Sequence, residues 1–101
     1  MTHVKEVIRE VSLQLPTLST GSTDTEVVRE LNYRLRKVTE NLIALSSGDD
    51  TLLNRAVNLY LRLGDNYQLL NMSPEIAVKN LSDAVEELME IVEELCLQRS
   101  D

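Results

Sequence analysis

The sequence predicts an all-α protein: an antiparallel up-and-down helical bundle with a three-helix body and a fourth helix. Three observations carry this. Apolar residues recur at alternating steps of three and four in four segments, the spacing of one helix face. Gly and Pro fall mainly at the boundaries between those segments. No segment shows the strict alternation of a half-buried strand. The 101 residues suffice for one small domain, residues 1–101, with one core. At 43% hydrophobic residues the chain can pack that core without metal or disulfide, and with no Trp or Phe the core must be aliphatic.

The first predicted helix covers residues 3–15. Val4, Ile8, Val11 and Leu15 share a face, and Thr2 is placed to cap it. Pro16 biases Leu15 away from helical geometry, so the helix is expected to end there. Thr17 to Thr23 then reads as a polar loop.

The second covers 25–46. Asp24 is suited to the N-cap and Glu26 favours the positive end of the helix dipole. Val28, Leu31, Leu35, Val38, Leu42 and Leu45 form an unbroken heptad seam. Gly48 is expected to end this helix in a left-handed conformation, and Asp50 to cap the next.

The third covers 51–71 and has two apolar stripes. One is Leu52, Ala56, Leu59, Leu63 and Leu70; the other, about 100° away by the helix period, is Leu53, Val57, Tyr60 and Leu61. Two stripes imply cover on two sides, by another helix of the chain or by a partner. Gly64 weakens this helix by roughly 1 kcal/mol relative to Ala and marks a potential bend.

The fourth covers 74–97, with Ser73 as N-cap and Pro74 at the first helical position. Leu81, Val85, Leu88, Val92 and Leu95 form its seam, and Asp83 with Glu86 resembles an internal cap that would break it near Leu81–Ser82. Leu31, Leu35, Val38, Leu42, Leu59 and Leu63 are the expected centre of the core. The short connection at Asn71–Ser73 returns the fourth helix beside the third, where its stripe is expected to cover Leu53, Val57 and Leu61.

The totals exclude several functions. A formal net charge of −7 argues against nucleic acid, whose phosphates need a basic face, and against anionic lipid. Cys96 is the sole cysteine, without a nearby His or a CxxC, so thiol catalysis is not expected and a reducing cytosolic setting is. There is no run of eighteen apolar residues, so no direct membrane insertion is expected. His3 stands alone in the first turn. Gly21, Gly48 and Gly64 are isolated, which leaves no phosphate-cradling loop. EELMEIVEEL superficially resembles the magnesium-binding helices of nucleotide pyrophosphatases, but octahedral magnesium needs oxygens from a second element, and Glu26, Glu30 and Glu40 have basic neighbours. The chain reads as a non-enzyme without metal or cofactor.

The stretch from Asp24 to about Leu70 resembles the GAT domain of endosomal and Golgi sorting adaptors. TDTEVVRELNYRLRKVTENLIALSS is similar to that family's long second helix, with the EL step at Glu30-Leu31-Asn32. Gly48-Asp49-Asp50 stands where the family has a short acidic loop. LLNRAVNLYLRL resembles the third helix, with Leu52-Leu53 as the apolar pair and Asn58-Leu59 as the Asn-Leu step. The resemblance implies a protein-interaction module of membrane traffic, cytoplasmic and peripheral to endosome or Golgi. It implies weak binding of ubiquitin and, as in some members, an Arf-type small GTPase as a further partner. Leu53, Val57 and Leu61, with Asn54 at the edge, would form the ubiquitin contact on a monomer. Two departures stand out. Val57 occupies the place of the family's usual acid, and the segment from Ser73 onward adds a helix to the family's three. Outside this resemblance, the chain reads as a small bacterial or phage chaperone, immunity or anti-factor protein, homodimeric through its heptad seams. A third reading is a spacer domain with no partner on this face.

Overall fold

The computed structural model describes residues 2–18 and 24–99. It contains four helices: α1 (Thr2–Leu18), α2 (Thr25–Leu45), α3 (Asp50–Met72) and α4 (Pro74–Arg99). No strand occurs among the described residues. Each helix runs antiparallel to the next, and α4 returns antiparallel to α1, so the four close into an up-and-down ring. α2 and α4 also pack across one diagonal, whereas α1 and α3 do not touch among the described residues. The bundle is elongated, 46 × 23 × 15 Å.

The local chemistry explains the helix ends. Asp24 caps α2 by accepting the Glu26 amide at 3.0 Å. α3 begins one residue earlier than expected. Asp49, not Asp50, is its N-cap, because its Oδ1 takes the amides of both Thr51 (3.0 Å) and Leu52 (3.1 Å). Those are two of the donors that a helix start leaves unpaired. Gly48 does not take the left-handed conformation. The end of α2 is closed instead by the Ser46 amide, which reaches Leu42 and Ile43 carbonyls. Between α3 and α4, the Ser73 amide donates to Leu69 while its carbonyl accepts the amides of Ile76 and Ala77, so one residue ends a helix and starts the next.

The expected stop at Pro16 is absent, and the helices expected over 51–71 and 74–97 run without the breaks that Gly64 and Ser82 suggested locally. α1 continues through Pro16 to Leu18. Proline removes one hydrogen bond and its ring crowds the backbone one turn back, but the last turn has two compensations. Leu18 is buried in the core, and the Thr17 hydroxyl donates to the Gln14 carbonyl at 2.7 Å. The expected loop therefore loses Thr17 and Leu18 to the helix, and residues 19–23 lie outside the described residues. α3 runs unbroken past Gly64 and α4 past Ser82, because tertiary packing on both sides outweighs a local propensity of about 1 kcal/mol.

The six residues expected at the centre of the core are all buried, and so is every member of the α1 and α4 seams. Leu45, the last of the α2 seam, is half-buried. α4 is wider in its burial than a single seam, since Ala77, Val78, Ala84 and Ile91 are also buried. α2 and α4, each packed against all three other helices, are therefore more enclosed than the double-striped α3. Both seams proposed for dimerisation are consumed inside the chain. Leu35→Ala or Leu59→Ala, each at a site no more than 1% exposed, is expected to cost about 2–5 kcal/mol in chemical denaturation.

Asparagine side chains thread the same core. Asn32 and Asn66 are both fully buried. Asn32 Nδ2 donates to the Leu63 carbonyl at 2.8 Å. Asn66 Nδ2 donates to Asn32 Oδ1 at 3.0 Å and to the Ala77 carbonyl at 3.2 Å, and its Oδ1 accepts from half-buried Asn80 at 3.0 Å. The chain of amides joins α2, α3 and α4 at one level. Buried amides without such partners would cost roughly 1–3 kcal/mol each.

Candidate functional site

Leu53, Asn54, Val57 and Leu61 lie on α3, on the flank that turns toward α2 and out to solvent. Leu53 and Val57 are half-buried, Asn54 is exposed, and Leu61 is 56% exposed. The expected cover by α4 is absent, and the reason is rotational. The opposite flank of α3 faces α4, where Arg55 Nε meets Glu87 at 3.0 Å and Arg55 Nη2 meets Glu90 at 3.4 Å. Arg62, Leu69, Asn80 and Asp83 line the groove on that same side. α4 needs its own seam for the core, so it cannot also lie on Leu53 and Val57.

α2 borders the patch instead. Its neighbour there is a cluster of charged and aromatic side chains. The Tyr60 hydroxyl donates to Glu40 at 2.9 Å, and the Arg36 guanidinium lies over the Tyr60 ring, 4.1 Å from its centroid. The hydrogen bond to the Glu40 carboxylate, with partial desolvation, pushes the Tyr60 phenol above its ordinary range. Arg36 Nε is buried without a hydrogen-bond partner among the described residues, so the ring face supplies its main attraction. Gly64 makes room for this arrangement: a Cβ there would stand 3.0 Å from Arg36 Nη2. Lys37 completes the shelf, 3.6 Å from Glu40 and 5.6 Å from the centroid of the half-exposed Tyr33 ring. Asp50, an exposed acid one turn before Leu53 and Asn54, flanks the other end of the patch.

The acidic residues of α4 do not converge. Glu87 and Glu90 turn to Arg55, whose guanidinium is held above its ordinary value first by the hydrogen bond to Glu87. Among the described residues no group of three or more His, Cys, Asp or Glu is placed to hold a metal ion. Asp49 is engaged as well. The Leu52 amide first, then the Gln98 side chain at 2.7 Å, hold its carboxyl below the ordinary value, which ties the end of α4 to the start of α3.

A second surface escaped the sequence reading. Between α1 and α4 runs an open groove beside Lys5, Arg9, Met89 and Glu93. The available signal was Met89, an apolar residue off the α4 seam and amid glutamates. No helix among the described residues is long and apolar enough to cross a membrane. Comparison of the chain with protein-family models, with curated proteins and with solved structures returns no match.

Proposed function

We propose that this chain is a non-enzymatic protein-interaction module of a membrane-traffic adaptor, cytoplasmic and peripheral to endosome or Golgi, that binds ubiquitin weakly. One observation supports this most: α4 completes the bundle and still leaves Leu53, Val57 and Leu61 accessible on α3. An added fourth helix is therefore compatible with the contact that the GAT resemblance implies. Three such side chains bury a few hundred Å² at most, below the size of a stable interface, so binding is weak and transient.

Amide shifts of the labelled chain titrated with ubiquitin test the reading. Shifts centred on Leu53, Asn54, Val57 and Leu61 are expected, with saturation only at high ubiquitin concentration. Val57→Asp restores the acid that the family carries at this place. Because Val57 is half-exposed and away from α4, the change is expected to alter stability by less than about 1 kcal/mol and to tighten ubiquitin about two- to five-fold, the scale of a rim charge pair. Absence of shifts, or shifts confined to α1 and α4, would overturn the proposal.

A further inference from the structure

The groove between α1 and α4 is formed by two contiguous hollows of about 400 Å³ each, sharing Ser12. Its floor is apolar, with Ile8, Leu15, Val85 and Val92. Its rims carry opposite charges: Lys5 and Arg9 on α1, Glu86 and Glu93 on α4. None of these four takes part in the ion pairs among the described residues, so the charges do not close over the groove. Met89 stands on the α4 rim, 49% exposed.

We propose that a second copy of this chain occupies the groove, related by a two-fold axis parallel to the helices. The symmetry follows from the charges. Rotation about an axis along the helices sets the α1 of one copy over the α4 of the other without changing level along the bundle. Lys5 and Arg9 share a level with Met89 and Glu93, because one hollow is lined by all four. The rotation therefore brings Lys5 and Arg9 of each copy against Glu93 of the other. It also sets Met89 of each copy over the other's hollow beside Ile8 and Ser12. A two-fold axis across the helices would instead stack α1 on α1 and α4 on α4, placing like charges together. The contact is self-complementary in the manner of isologous dimers.

The size sets the strength. Lys5 to Pro16 spans about 17 Å of helix, and two helices side by side present a face about 20 Å wide. Each copy then buries on the order of 350 Å², well below the roughly 1,200–2,000 Å² total of stable complexes. The dimer is weak and concentration-dependent. The α1/α4 face lies opposite the α2/α3 flank in the ring, so both Leu53–Val57–Leu61 patches stay outward. The proposal does not depend on what binds there.

Sedimentation equilibrium of the full chain, from about 10 µM to about 1 mM, brackets the affinity expected of so small an interface. A reversible monomer–dimer equilibrium is expected, and the Met89 methyl resonance should move with concentration while that of Met72 stays. Reversing one rim, as K5E/R9E or as E86K/E93K, is expected to raise the dissociation constant at least tenfold. An equimolar mixture of the two variants should associate again, since one mixed contact pairs the two reversed rims and the other the two unreversed ones, so that opposite charges meet in both. Both variants remain net negative, starting from −7, so overall charge cannot drive that recovery. A wild-type chain that stays monomeric with an unmoved Met89 methyl overturns the proposal and leaves the groove to another occupant. A mixture that stays monomeric, or single reversals that dimerise as well as wild type, overturns it too.

Discussion

A chain ending at Met72 is expected to lose cooperative folding. α4 contributes Val78, Leu81, Val85, Leu88, Ile91, Val92 and Leu95 to the core, besides Ala77 and Ala84. Full burial of an aliphatic side chain of this size contributes about 1.5–3 kcal/mol, so the seven together contribute about 10–20 kcal/mol. The net stability of a domain is only about 5–15 kcal/mol. The truncated chain would also expose the faces of α1, α2 and α3 that α4 covers, and take from the Asn66 side chain its two partners on α4, the Ala77 carbonyl and the Asn80 amide. Circular dichroism with thermal melting checks this. The expected result is a non-cooperative melt with binding of a hydrophobic dye. A sharp transition close to that of the full chain would mean that three helices form a sufficient body and that α4 is an appendage.

Asn66→Ala is expected to be the most damaging single substitution of a polar residue, at about 3–5 kcal/mol. It leaves Asn32 Oδ1 without its donor and Asn80 Nδ2 without its acceptor, and opens a cavity. Asn66→Asp should be worse near neutral pH. An ionised carboxylate there would face two acceptors with no cation beside it. Burial raises the folded-state pKa of such a group above its unfolded value. Its penalty is therefore greatest above the folded pKa and shrinks as acidification protonates it and restores a donor. Denaturation midpoints across pH should thus rise toward acid for Asn66→Asp relative to Asn66→Ala. Two variants with the same pH profile would show that the site admits water, and that the amide chain is not the constraint described.

Much of this fold was legible in the sequence because it rests on periodicity. The α2 seam from Val28 to Leu42 and the α4 seam from Leu81 to Leu95 can be read off the spacing, and both are buried. The capping Asp24 was equally local. Even Asn66 had left a trace. The first stripe of α3 steps regularly from Leu52 to Leu63, then leaves a gap of seven before Leu70, and Asn66 fills the vacant heptad position. An amide there looks like a break in the seam until its partners, Asn32 and Ala77, are known to be adjacent.

The candidate sites depended on something the sequence does not encode locally. Spacing tells which residues of a helix share a face, but not which neighbour meets that face. Leu53, Val57 and Leu61 read as one stripe in the sequence, and α4 was the natural element to cover it. Only the assembled bundle showed that Arg55 and Leu69 define the side of α3 toward α4, and that the stripe lies on the other side. The same holds for Pro16 and Gly64. Their local costs are about 1 to a few kcal/mol, and burial of Leu18 and the stacking of Arg36 on Tyr60 decided against the breaks they suggested. The sequence by itself determined four helices, their order and their inward faces, because those are set by short-range periodicity and caps. Tertiary structure alone decided the rotation of each helix against its neighbours. That rotation reflects the sum of many contacts between residues far apart in the chain, and with it came the open patch on α3, the amide chain through the core and the charged groove between α1 and α4.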